Sequence, residues 1–320
     1  MEKKKIVYAV AILVLILIVV LIIFLKPKKA KKEDVKPEPT QEIVTPTVEV
    51  KGKIPEKVKT ETKKGAAKYE FNIIKKDDKS KVFEIEKQGK KYQLKEAGEK
   101  FSFIVNVDGR NASLPQIGSD VTGDGKPDMV LQLKSEKDSC SNLFSIFSIE
   151  DDFKMVAELK GLAEGIKFKD LDGDGVPEII GNDCTFLNWW ASFGENLAPQ
   201  VILKNKYGEY HLADSLMRKA PPSETEMEKY IEKNKGGLIT YVWKYMLDLI
   251  YTGNGNTAWE FYEKVEWDPE WEEQIMQEKE AKNISNKKEF LDAFKEHLTT
   301  SPYWDDLKKL NGWEMLEIEM

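Results

Sequence analysis

Asp170-Leu171-Asp172-Gly173-Asp174-Gly175-Val176-Pro177-Glu178 repeats, fifty residues on, the pattern of Asp120-Val121-Thr122-Gly123-Asp124-Gly125-Lys126-Pro127-Asp128. Counted from the first Asp of each, both stretches place an acid at positions 1, 5 and 9, Gly at 4 and 6, and Pro at 8. Side chains at alternate positions of a tight loop converge on one point, and a hard cation such as calcium takes six to eight oxygens. The glycines permit the positive φ that such a loop needs. Candidate ligands are therefore Asp120, Thr122, Asp124 and Asp128 in the first copy and Asp170, Asp172, Asp174 and Glu178 in the second. Lys126 and Val176, at position 7, would contribute a backbone carbonyl. The first copy has Thr122 where the second has Asp172, one carboxylate fewer, so weaker calcium binding is expected there.

An EF-hand or dockerin loop needs an acid at position 12 and a helix after it. Position 12 is Leu131 in one copy and Gly181 in the other, and the sequence runs instead into Met129-Val130-Leu131-Gln132-Leu133 and Ile179-Ile180. These short apolar runs read as strands, with Pro127 and Pro177 just ahead of them, where a missing N–H does least harm. Two Asp-Gly hairpin turns are the competing structural reading; one template used twice, each time feeding a strand, argues for cation loops.

Asp-x-[Thr/Asp]-Gly-Asp-Gly-x-Pro-[Asp/Glu] followed by an apolar strand resembles the FG-GAP and VCBS-type repeats, the calcium-bearing blades of β-propellers like that of integrin α-chains. The likeness covers the two loops and their flanking strands, roughly residues 101 to 212. It implies an extracytoplasmic antiparallel β domain with calcium at its loop rims, used for adhesion or for recognition of protein or carbohydrate. A closed propeller needs at least four blades, and two loops do not supply them, so an open arrangement is expected.

The rest of the chain divides by composition. Ile6 to Leu25 is twenty residues without a charge, the length of a membrane-crossing helix. No small-residue cleavage site follows it, which predicts a signal anchor over 1–25. Lysines flank it on both sides and leave the orientation open; calcium loops belong outside the cytosol, which places the body in the periplasm or at the cell surface. Residues 26–68 are rich in Lys and Pro and poor in bulky apolar side chains, and so read as a disordered linker. The first 68 residues hold 16 Lys and 8 acids of the chain's 49 basic and 56 acidic residues, which leaves 33 and 48, a charge of −15, for the remainder. So acidic a body argues against nucleic acid as partner.

From Tyr69 the pattern is short alternating segments broken by turns, a β-meander that makes 69–221 a β-repeat domain. The fifty-residue spacing of the loops suits one four-stranded blade. Beyond Pro221-Pro222 the period becomes helical: Ser223 with Glu226 forms a capping box, and helices are expected over about 238–251, 257–265, 269–282, 285–298 and 302–310, giving a C-terminal helical region over 222–320. Six of the eight tryptophans lie in that region; their spacing suits core filling better than a ligand face.

Only two cysteines are present, Cys140 and Cys184. In an exported protein they read as a disulfide, with two buried free thiols as the alternative. With His211 and His297 the only histidines, a Cys/His zinc site would need every Cys and His of the chain and is not expected. There is no phosphate-cradling Gly-rich loop, no Gly-x-Ser-x-Gly elbow and no His-Glu-x-x-His helix. The expected function is a non-catalytic, calcium-stabilised module that binds a protein or glycan while tethered to the membrane. An envelope hydrolase using paired carboxylates and a scaffold subunit of an envelope complex are the alternatives.

Overall fold

A computed structural model describes residues 58–59 and 69–313, apart from 77–78, 99, 108, 110–112, 137–139, 164, 188, 190–196 and 277–283. Among the described residues, twelve strands form three four-stranded antiparallel sheets. The first sheet comprises β1 (Val58–Lys59), β2 (Tyr69–Lys75), β3 (Ser80–Lys87) and β4 (Lys90–Gly98); the second, β5 (Phe101–Val105), β6 (Asp128–Ser135), β7 (Leu143–Ser148) and β8 (Lys154–Leu159); the third, β9 (Lys167–Lys169), β10 (Glu178–Asn182), β11 (Gln200–Lys206) and β12 (Glu209–Leu212). Each is an up-and-down meander in chain order, and each acidic loop is the connection into the second strand of its sheet.

The second sheet is the middle layer. Along β6, Met129, Leu131 and Leu133 pack with Phe71, Phe83 and Ile85 of the first sheet. Val130 points the other way, into a core shared with Ile179, Val201 and Leu203 of the third. Alternate side chains serve alternate faces, and since both faces are covered the strand reads as an almost unbroken apolar run. A bulge between Ile146 and Phe147 of β7 shifts the register, and these two neighbours lie in opposite cores.

Seven helices follow among the described residues: α1 (Asp214–Met217), α2 (Glu224–Lys233), α3 (Thr240–Ile250), α4 (Gly255–Lys264), α5 (Pro269–Met276), α6 (Lys287–Leu298) and α7 (Trp304–Asn311). They share the core of the second and third sheets: Trp243, Met246, Phe261, Phe290, Phe294 and Trp313 belong to one buried cluster with Val201, Leu203 and Leu212. The change at residue 221 is therefore one of secondary structure, and the described residues form a single compact unit. Gly255 opens α4 because only a residue without Cβ lets the indole of Trp313 lie against its backbone. Gly161 does the same for Pro302, whose Cγ is 2.7 Å from where a Cβ would stand, joining the β8–β9 connection to the start of α7.

The fold class expected from sequence is corrected in one element. Among the described residues no helix is long and apolar enough to cross a membrane. The longest, α6, has twelve residues and so spans about 18 Å against the ~30 Å of a bilayer's hydrocarbon, with Lys and Glu along its exposed side. The expected span at Ile6–Leu25 and nearly all of the expected linker at 26–68 lie outside the described residues. Helix boundaries shift modestly: α4 begins at Gly255 in place of Thr257, α6 is capped by Asn286 and not by Ser285, and α7 begins at Trp304.

Candidate metal centre

The two acidic loops fold by one set of hydrogen bonds. In the first, the carboxylate of Asp120 accepts from the backbone N–H of Gly123 (2.7 Å) and of Gly125 (2.9 Å), and Asp124 accepts from Lys126 N–H (2.8 Å). The second repeats this, Asp170 accepting from Gly173 (2.7 Å) and Gly175 (3.0 Å) and Asp174 from Val176 (2.8 Å). The four glycines have φ between +77° and +89°, a region that costs side-chain-bearing residues strain. This is why a Gly stands at positions 4 and 6 in both copies: the turn folds the chain back so that acids at 1, 5 and 9 face one another in the first copy and those at 1, 3 and 5 in the second, where Glu178 at position 9 stays outside the trio.

Position 9 closes each loop from below. Asp128 is 1% exposed, and its Oδ2 accepts from Val121 N–H (3.0 Å), Thr122 N–H (3.1 Å) and the Thr122 hydroxyl (2.9 Å). Its Oδ1 is buried and has no hydrogen-bond partner. Glu178 is wholly buried and accepts from Leu171 N–H through Oε2 (2.8 Å). Burial pushes the Asp128 carboxyl above the usual carboxylate range even though three hydrogen bonds favour its ionised form.

One carboxylate oxygen from each of Asp120, Asp124 and Asp128 lies within 4.8 Å of the others, and so do those of Asp170, Asp172 and Asp174. Either trio is spaced to hold a metal ion. Of the other expected ligands, Thr122 turns its hydroxyl to Asp128. The Lys126 ammonium leaves the loop for Asp151 (2.8 Å), and the Val176 side chain lies on the first loop, 2.6 Å from where a Cβ on Gly123 would stand. The two loops therefore touch, a contact no local pattern announces.

Two residues outside the motif, Tyr210 and Lys204, brace it, and a third, Ser148, faces it. Tyr210 of β12 donates its hydroxyl to the carbonyl of Val121 (3.0 Å), with burial holding the phenol well above its ordinary pKa. Ser148 of β7 lies directly opposite Asp128 in the ladder. Lys204 of β11 reaches the second loop, its ammonium bonding Asp172 Oδ2 and Asp174 Oδ2 (2.6 Å) and lying 3.4 Å from Glu178 Oε1. Those two carboxylates hold the Lys204 ammonium well above the usual lysine range, and Lys204 in turn pulls Asp174 below its ordinary value. The register supplied the missing signal: Ile179 pairs with Leu203, so the next pair sets Glu178 against Lys204.

Cys140 and Cys184 form a disulfide, Cα–Cα 5.6 Å, that ties the β6–β7 connection to the chain just after β10. Of the two histidines, His211 contacts Asp306 through Nδ1 (3.1 Å), and His297 meets the carbonyl of Thr185 (2.7 Å) and stacks on Trp189. Trp243, Trp271 and Trp313 are buried in the helical core. An open cleft of about 630 Å³ lies beside α2 and α4, lined in part by Glu224, Glu260 and Glu263, where Glu224 is ion-paired to Lys264. No protein-family model, curated protein or solved structure matches this chain.

Proposed function

We propose that residues 69–313 form a non-catalytic binding module, of the kind the FG-GAP and VCBS-type resemblance implies, whose loop rim is set by calcium. The observation that carries this is Asp128: a buried carboxylate with one oxygen lacking any hydrogen-bond partner, within 4.8 Å of two further carboxylates. A buried, unsatisfied carboxylate beside like charges is costly, and a divalent cation between the three removes both penalties. Calcium is favoured over transition metals because the donors are all hard oxygens with no imidazole or thiolate. In this reading the metal performs no chemistry; it fixes the rim that a protein or glycan partner touches.

The Cys140–Cys184 disulfide supports an oxidising, extracytoplasmic compartment, where calcium is plentiful. Affinity is expected at the weak end, on the order of 10⁻⁴ to 10⁻³ M, as in extracellular modules. Thermal melting in EDTA and then in 5–10 mM calcium, at least about five times such a Kd, is the test. The native chain melts several degrees higher with calcium, and Asp124→Asn removes most of that difference; equal midpoints with and without calcium in the native chain would end the proposal. Capture of a partner from an envelope extract with calcium, and its release by chelator, then identifies the ligand.

A further inference from the structure

The two loops share a template, yet the strand that follows each brings a different residue to the same place. Asp128, position 9 of the first loop, pairs across the ladder with Ser148; Glu178, position 9 of the second, stands opposite Lys204, one step beyond the Ile179–Leu203 pair. Directly opposed residues project from the same face of a sheet. At the first loop this places two buried oxygens without hydrogen-bond partners, Asp128 Oδ1 and Ser148 Oγ, on one face. At the second, Glu178 Oε1 is likewise buried without a hydrogen-bond partner, but an ammonium bonded to Asp172 and Asp174 lies 3.4 Å from it.

We propose that the loops divide the work: the first takes the divalent cation, whereas the second carries its cation covalently as the Lys204 ammonium and takes no metal in the native chain. The first half of this rests on the calcium reading above; the second half does not. Formal charge agrees. The first loop has three acids and a lysine, Lys126, that is turned away to Asp151; the second has four acids, Asp170, Asp172, Asp174 and Glu178, and Lys204 brings the charge at its carboxylates to that of the first loop's three. Asp172, the extra carboxylate, is one of the two groups that Lys204 binds. A calcium ion entering the second loop would have to displace the ammonium from both carboxylates or lie beside it, and like charges at that distance repel strongly. The order of affinities expected from counting carboxylates is thereby reversed.

Glycine amides report on each loop separately. In ¹H–¹⁵N spectra of the full chain titrated with calcium chloride, Gly123 and Gly125 are expected to shift along a saturating curve while Gly173 and Gly175 stay within the drift seen with magnesium-free salt of equal ionic strength. Lys204→Met removes the ammonium and keeps the length of the stem. In that variant Gly173 and Gly175 acquire a saturating calcium response, and Asp174→Asn added to it abolishes the response. Lys204→Gln serves if the Met variant does not fold. Saturable shifts of Gly173 and Gly175 in the native chain overturn the assignment, as does a silent second loop in both Lys204 variants. If the first pair is silent in the native chain while the second responds only without Lys204, the calcium reading of the first loop fails and the role of Lys204 stands.

Discussion

Asp183 is wholly buried directly after β10, and its two oxygens accept four hydrogen bonds: from Thr185 N–H (2.8 Å) and hydroxyl (2.6 Å), from the Tyr251 hydroxyl (2.6 Å) and from the Ser301 hydroxyl (2.6 Å). These donors come from the third sheet's own connection, from the end of α3 and from the turn before α7, so a single carboxylate fastens two helices to the sheet. Burial beside that carboxylate holds the Tyr251 phenol far above its ordinary pKa, so it stays a donor. Asp183→Asn puts an amide donor in front of a donor and leaves a buried hydroxyl unsatisfied, at a cost of about 2–4 kcal/mol. Tyr251→Phe, which removes one donor from a carboxylate that keeps three, costs about 1–2 kcal/mol. Urea denaturation midpoints at unchanged m-value check both, and an Asp183→Asn variant as stable as the native chain would show the latch to be idle. None of this was legible beforehand, because Asp183, Tyr251 and Ser301 are separated by 68 and 118 residues and none belongs to a motif. The acidic loops were legible for the opposite reason: all their internal bonds span seven residues or fewer. Lys204 falls between these cases. It is readable only once the β10–β11 register is known.

Helices α2 and α6 show how far local rules carry and where they slip. Ser223 and Glu226 form the full capping box, each side chain serving the other's backbone N–H, as the Ser-x-x-Glu spacing predicts. At α6 the same chemistry is shared between neighbours: Asn286 caps Glu289 N–H (3.0 Å), while the Glu289 carboxylate returns to Ser285 through N–H (2.7 Å) and hydroxyl (3.0 Å). Ser285 was the natural reading because the spacing cannot tell which of two adjacent cap-forming residues turns inward. Backbone and hydroxyl donors from Ser223 and Ser285 hold Glu226 and Glu289 below the ordinary glutamate range. A carboxyl depressed in the folded state contributes stability above its unfolded pKa, near 4.5, and the contribution fades as pH falls through the folded value. Both helix starts are therefore expected to loosen in acid below about pH 4.5. In ¹³C carboxyl titrations the two glutamates should have midpoints below those of a peptide glutamate. Ser223→Ala should move Glu226 part of the way back, since the backbone donor remains, and cost about 1 kcal/mol of stability. An unmoved Glu226 midpoint in that variant would remove the reciprocal bond.

At the scale of the whole molecule, three layers and one covalent tie make β and α parts a single cooperative body. The second sheet is buried on both faces, and its outer core is also the core of the third sheet and of the helices. Phe186 shows the continuity, lying between the third sheet's connection and α6 with Trp189 at 5.2 Å, Phe294 at 5.1 Å and His297 at 4.9 Å between ring centroids. The sequence marks the change of period at 221 clearly, since Pro221-Pro222 and the capping box are local. It cannot show that Leu203 and Leu212 share one buried core with residues of α3 and α7, because an apolar strand reads the same whatever covers it. The consequence is that a chain ending at 221 exposes Val201, Leu203 and Leu212 together with the unsatisfied Asp183, and is expected to lose its third sheet. In the full chain, far-ultraviolet ellipticity at a helix wavelength and tryptophan fluorescence should follow one urea transition with a common midpoint. Reduction removes a tie across 44 residues, worth about 4 kcal/mol by chain entropy. That lowers the midpoint without splitting the transition, because the shared apolar core and not the disulfide couples the layers. Two separated midpoints in the oxidised protein, with helices melting apart from sheet, would mean that the common core is not cooperative and that the helices are an independent domain.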